Sequence, residues 1–170
     1  MNVLGKVVAV GALGILAACT SNDPSDLGGG FGNGANGGGL AAGSPSDPRS
    51  PAYFQQTVGD RVLFAVNDSN LSPQAQTVLQ GQADWLLANP DFVATIEGHA
   101  DEQGTREYNL ALGARRANEA REYLISRGVA GNRLTTVSYG KERPIEICST
   151  EECYSKNRRA VTVLTGSTLG

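Results

Sequence analysis

Asp101 and Arg116 are the two residues whose types suit them to hold a small charged ligand. They lie fifteen residues apart in one stretch from Gly98 to Ala117. A carboxylate takes an ammonium, and a guanidinium grips a carboxylate through parallel N–H donors. Presented into one cleft, the two would hold a zwitterion. The same charges could instead pair with each other or with solvated neighbours, and spacing alone leaves both readings open. Nothing in the stretch has the pattern of a reaction centre.

Other residues nearby offer less. His99 is the only histidine; a general base would need a nucleophile or an orienting group beside it, and zinc would need companion ligands. A structural hydrogen-bonding role is expected for it. Asp101 and Glu102 are adjacent and point apart, which suits glycosidic chemistry poorly. The Gly98 to Gly104 spacing lacks the lysine of a phosphate loop. The run Asn157-Arg158-Arg159-Ala160 could bring a second positive group to the cleft or cap a sheet edge.

The elements that must position these residues read as follows. Arg61 to Val66 is a strand, ended by the turn cluster Asn67-Asp68-Ser69-Asn70. Ser72-Pro73 caps a helix running to Ala88, with Ala75, Val78, Leu79, Ala83, Leu86 and Leu87 as its apolar stripe. Phe92 to Glu97 is a second strand and Gly98 to Gly104 a loop. A helical region ends at Gly128, and Arg133 to Tyr139 and Arg159 to Leu164 are strands, with a short helix or loop between them. The fold class is α/β, an α+β two-layer sandwich, with two main helices on one face of a four-stranded mixed sheet. Strand order stays open.

One difficulty concerns Arg116. In a helix starting at Thr105 it would sit about 16 Å along the axis, too far from the loop to share a ligand. Asn109 as an N-cap restarting the helix at Leu110 would bring it close. The spacing therefore predicts a helix restart at Asn109.

The N-terminus is of another kind. Lys6 precedes a twelve-residue apolar run, Val7 to Ala18. At about 18 Å it is too short for a ~30 Å hydrocarbon core, and it reads as a secretory signal over residues 1–18. Its close, Leu16-Ala17-Ala18-Cys19, resembles the bacterial lipobox, which implies cleavage before Cys19 and acylation there; an ordinary cleavage with an incidental cysteine is the alternative. Thr20 rather than Asp favours the outer membrane by the same resemblance. From residue 19 to 58 the chain reads as a flexible tether, eight of the twelve residues from Gly28 to Gly39 being glycine. The folded domain is expected over 59–166.

Removing the signal takes away Lys6 and no acid, so the net charge moves from −3 to −4. A mildly acidic chain lacks the basic footprint that nucleic acid demands. Export also bears on the remaining cysteines. Cys148 and Cys153 would pair in an oxidising compartment, closing a small loop worth roughly 2 kcal/mol. Reduced thiols are the alternative; a metal site has no second cysteine pair to complete it.

Several motifs carry a family resemblance. Gly98-His99-Ala100-Asp101-Glu102-x-Gly104-Thr105, Tyr108-Asn109-Leu110, Leu112-Gly113-x-Arg115-Arg116-Ala117, Ser138 to Pro144 and Asn157-Arg158-Arg159-Ala160 are similar to the OmpA-like C-terminal domain family, in its lipoprotein branch. The resemblance covers about Asp60 to Leu164. It implies non-covalent binding of the peptidoglycan stem peptide through its meso-diaminopimelate, with no cofactor. It also implies a lipid-anchored protein at the outer membrane, facing the periplasm, with Tol-system periplasmic proteins as partners in envelope integrity and cell division. By motif match Asp101, Asn109, Arg116 and Arg159 would hold the ligand. The family commonly has aspartate where this chain has Ala65. A wall hydrolase, or a lipoprotein working by protein–protein contact, are the competing classes.

Overall fold

The computed structural model describes residues 43–167. The chain enters through a short helix, α1 (Pro51–Tyr53), which continues as a π-helical segment, Phe54–Gly59. Then follow β1 (Arg61–Leu63), α2 (Pro73–Ala88), β2 (Phe92–His99), α3 (Arg106–Ser126), a 3-10 turn (Gly131–Arg133), β3 (Leu134–Gly140), α4 (Glu151–Asn157) and β4 (Arg159–Ser167).

The four strands form one mixed sheet in the order β1-β4-β2-β3. β4 lies antiparallel to both β1 and β2, while β2 and β3 are parallel. A parallel pair needs a crossover, and α3 supplies it. Val62, Ala94, Ile96 and Ala160 of the sheet meet Leu79, Ala83 and Leu86 of α2 and Ala117, Ala120 and Leu124 of α3 in one core. The expected two-layer sandwich, its mixed sheet and its two main helices are all present.

Caps set the helix starts. The Ser72 hydroxyl accepts from the Ala75 N–H at 3.1 Å, with Pro73 at the first helical position, as the sequence indicated. Thr105 caps α3 by accepting from the Tyr108 N–H at 3.2 Å. Gly128, at φ 100°, ends it in a conformation that a side chain would disfavour.

Two expectations need correction here. The folded part does not begin at 59, for residues assigned to the tether are built into it. Phe54 is fully buried and lies 4.9 Å from the Trp85 ring, and the Trp85 indole N–H donates to the Pro48 carbonyl at 2.7 Å. A tryptophan on α2 needs both an apolar wall and an acceptor, and this segment provides them. Likewise β1 stops at Leu63 rather than Val66. Beyond Phe64 the chain turns, with Asn67 at φ 54°, and its carbonyls are turned to another use described below. The signal, Cys19 and the Gly-rich run lie outside the described residues.

Candidate functional site

α3 runs unbroken from Arg106 to Ser126, so the helix restart expected at Asn109 does not occur. The Asn109 N–H donates to the Thr105 carbonyl at 3.1 Å, inside the first turn. Arg116 nonetheless reaches the end of β2. The Ala100–Thr105 loop sets the helix start beyond the strand end, so the helix draws level with the sheet only about 12 Å along its axis, at Gly113. The two elements touch at Gly98 and Gly113, where a Cβ on Gly98 would fall 1.8 Å from the Gly113 oxygen. Arg116 follows Gly113 by less than one turn, and helical side chains lean toward the N-terminus.

Arg116 is completely buried. Its Nε donates to the Asp68 carbonyl at 2.8 Å, Nη1 to the His99 carbonyl at 2.9 Å and Nη2 to the Ala65 carbonyl at 3.0 Å. This is the use to which the turn after β1 is put. Phe64 lies under the guanidinium at 5.2 Å. Burial pulls its pKa down to about 10, opposed chiefly by the Asp101 carboxylate. A guanidinium has five N–H donors, so two have no partner among the described residues.

Asp101 is buried and pairs with Arg158, whose Nη1 lies 3.1 Å from Oδ2. Its Oδ1 accepts the Gln103 N–H at 3.2 Å. Arg158 also donates from Nε to the Phe64 carbonyl at 3.2 Å and forks onto Glu151 of α4. That fork holds the Glu151 carboxyl below the usual carboxylate range. Asn109 is buried; its amide nitrogen donates to the Gln103 carbonyl at 2.8 Å, and its Oδ1 has no partner among the described residues. A buried acceptor left open is costly unless something donates to it.

Arg159 is not brought to this cluster. Ala160 and Thr162 face the helices, so alternation along β4 turns Arg159 to the other face of the sheet. There its guanidinium donates to the Asn157 and Arg143 carbonyls at 3.2 and 3.1 Å. Burial lowers its pKa. Of the two arginines in the motif, Arg158 is the one at Asp101. Applying the two-residue strand period to Ala160 and Thr162 would have found it from sequence.

His99 stands on the Arg159 side, 5.5 Å from the Tyr139 ring, which the Arg143 guanidinium covers at 3.6 Å. The expected hydrogen-bonding role fails for its ring, for neither nitrogen has a hydrogen-bond partner among the described residues; the Glu97 carboxylate lies 3.7 Å from Nε2, beyond hydrogen-bond reach. Its backbone carbonyl is what serves the site, through Arg116. Burial, reinforced by Arg159 and Arg143, pushes the imidazole pKa down to about 4. The Cys148–Cys153 disulfide is formed, as expected.

Two guanidiniums, Arg116 and Arg158, and two carboxylates, Asp101 and Glu151, thus meet beyond the end of β2. A zwitterion adds no net charge to such a set and can take one partner of each sign, so the arrangement suits binding.

Comparison with known proteins agrees with the fold and this class. Residues 63–158 match the OmpA family. The chain belongs to that family and, within it, to the peptidoglycan-associated lipoproteins. It is 52% identical over 154 residues to the peptidoglycan-associated lipoprotein of Rhizobium meliloti, covering 89% of this chain and 82% of that one. It superposes on the crystal structure of the Burkholderia pseudomallei peptidoglycan-associated lipoprotein with a TM-score of 0.63 at 36% identity, over 71% of this chain and 98% of that chain. The C-terminal domain of Helicobacter pylori MotB shares the fold, with a TM-score of 0.60 at 22% identity, over 64% and 86% of the two chains. These lipoprotein relatives are named for association with peptidoglycan.

Proposed function

We propose that the protein binds peptidoglycan non-covalently through the diaminopimelate of the stem peptide. The observation that carries this reading is the juxtaposition of Asp101, the open Asn109 Oδ1 and the spare donors of Arg116 at one strand end. Asp101 and Asn109 take the ammonium. Arg116 takes the carboxylate through the two N–H donors that its three backbone partners leave spare. Arg158 replaces Arg159 as the second cation of the site. The fold belongs to a family whose lipoprotein members carry peptidoglycan association in their name, which supports the same ligand.

The rest of the reading concerns residues outside the described range and partners. Acylated Cys19 anchors the protein in the outer membrane facing the periplasm, each buried methylene contributing about 0.8 kcal/mol, so several chains hold it permanently. Many copies on one polymer turn modest affinity into avidity. Through the family resemblance, Tol-system periplasmic proteins are its partners in envelope integrity and cell division.

The test is co-sedimentation of the purified chain with isolated sacculi. Asp101→Ala and Arg116→Ala are each expected to abolish sedimentation, with no soluble muropeptides released by the unaltered protein. Full sedimentation of Asp101→Ala would refute the site; release of fragments would make the protein a hydrolase.

A further inference from the structure

The Cys148–Cys153 disulfide closes a small loop. The structure shows what that loop is attached to. The Ala100–Thr105 loop carrying Asp101 is fastened from outside by three side chains of the segment 149–158. The Tyr154 hydroxyl donates to Glu102 Oε1 at 2.7 Å, and the Ser149 hydroxyl donates to the same oxygen at 2.9 Å. Arg158 ties Asp101 to Glu151. Ser149 and Glu151 lie within the disulfide-closed loop, and Tyr154 directly follows it.

We propose that Tyr154, Glu102 and the Cys148–Cys153 disulfide form a positioning clamp on the ligand loop. The proposal rests on the diaminopimelate reading and deepens it. Glu102 touches no group assigned to the ligand; its carboxylate serves as the loop's handle, and Tyr154 grips it. The Tyr154 bond holds the Glu102 carboxyl below its ordinary range, and Glu102 in turn raises the Tyr154 hydroxyl. The disulfide supplies what an exposed hydrogen-bonded loop lacks. It restricts the conformations open to Ser149 and Glu151, so less entropy is lost in holding Glu102 and Arg158 in place. Binding geometry at Asp101 must be kept to a fraction of an ångström for a small zwitterion, and the backbone of the loop is already held by Asn109 and Lys141 at the Gln103, Glu102 and Gly104 carbonyls. The clamp holds the loop by a side chain as well.

The experiment titrates free meso-diaminopimelate calorimetrically against the purified full chain and four variants: Tyr154→Phe, Glu102→Gln, the two combined, and Cys148→Ser with Cys153→Ser. Asp101→Ala is the control. Tyr154→Phe and Glu102→Gln are each expected to weaken binding by roughly three- to tenfold, the net scale of one ordinary hydrogen bond, since the pair acts on the ligand only through the loop. The combined variant should lose no more than either alone, and the serine variant a comparable amount. Backbone amide resonances of 101–104 should shift in Tyr154→Phe while those of α2 stay in place, a local signature that general loosening would not give. If Asp101→Ala abolishes binding while Tyr154→Phe and Glu102→Gln bind as the parent does, the clamp is wrong and the site stands. Unchanged binding in Asp101→Ala brings down site and clamp together. Should the serine variant fail to fold, the Tyr154–Glu102 cycle decides.

Discussion

The Asp101 carboxylate lies 3.1 Å from the Arg158 guanidinium, in an ion pair whose side chains are 10% and 5% exposed. Arg116, which the motif match places with Asp101 on the ligand, sits beside this pair but is held by three backbone carbonyls. The aspartate therefore has a cation of its own before any ligand arrives. A ligand ammonium must compete with Arg158, or share Asp101 with it.

Removing that cation strands a buried carboxylate. Arg158→Ala is expected to cost about 3 kcal/mol in denaturant unfolding, most of it from leaving Asp101 unpaired. Arg158→Lys keeps the charge but cannot serve the Phe64 carbonyl, Asp101 and Glu151 together, so it should recover only part. A loss under about 1 kcal/mol for Arg158→Ala would place the pair among solvent-screened surface bridges and remove its structural role.

The Gly98–Gly113 contact makes a sharper prediction. A Cβ on Gly98 would lie 1.8 Å from the Gly113 oxygen and 2.6 Å from its carbon, so α3 must lift off β2. Gly98→Ala is expected to cost more than about 2 kcal/mol and to weaken ligand binding as well, because Arg116 moves with the helix. Gly81→Ala is the contrasting control. Its Cβ would meet only Val58 Cγ1, at an ordinary 3.5 Å, and its position within α2 favours alanine by roughly 0.5–1 kcal/mol. Equal thermal midpoints for the two variants would mean the backbone contact is not tight.

Much of this was legible in the sequence because local signals decide it. Ser72-Pro73 starts α2 and Gly128 ends α3 by chemistry that neighbouring residues complete. What failed was decided at long range. The helix restart at Asn109 assumed that α3 begins level with the end of β2, and loop height is a tertiary quantity. The tether boundary at 59 missed Phe54 because its burial depends on Trp85, thirty-one residues away in sequence. Arg158 was passed over for Arg159 although strand alternation contained the answer. The strand expected to reach Val66 yields after Leu63 because a buried guanidinium needs the Ala65 and Asp68 carbonyls.

His99 gives the fold a pH dependence whose sign can be worked out. Its imidazole, buried beside Arg159 and Arg143, has its pKa pushed from 6.5 to about 4. Between those values the unfolded chain binds a proton that the folded chain refuses, so unfolding is favoured as pH falls, and stability rises with pH across the same window. The full loss on going from about pH 6.5 to 4 is about 3 kcal/mol. Glu102 and Glu151, whose pKa values are lowered by Tyr154 and Arg158 respectively, add their own losses only below the ordinary carboxylate range. The upper part of the window therefore belongs to His99. His99→Gln leaves the backbone carbonyl that holds Arg116 and removes the titrating ring. Urea midpoints of the variant should stay flat from pH 6.5 to 5, while those of the parent fall. Parallel slopes for the two proteins would show that the His99 pKa is the same in the folded and unfolded chain and that its ring is not shielded as the geometry requires.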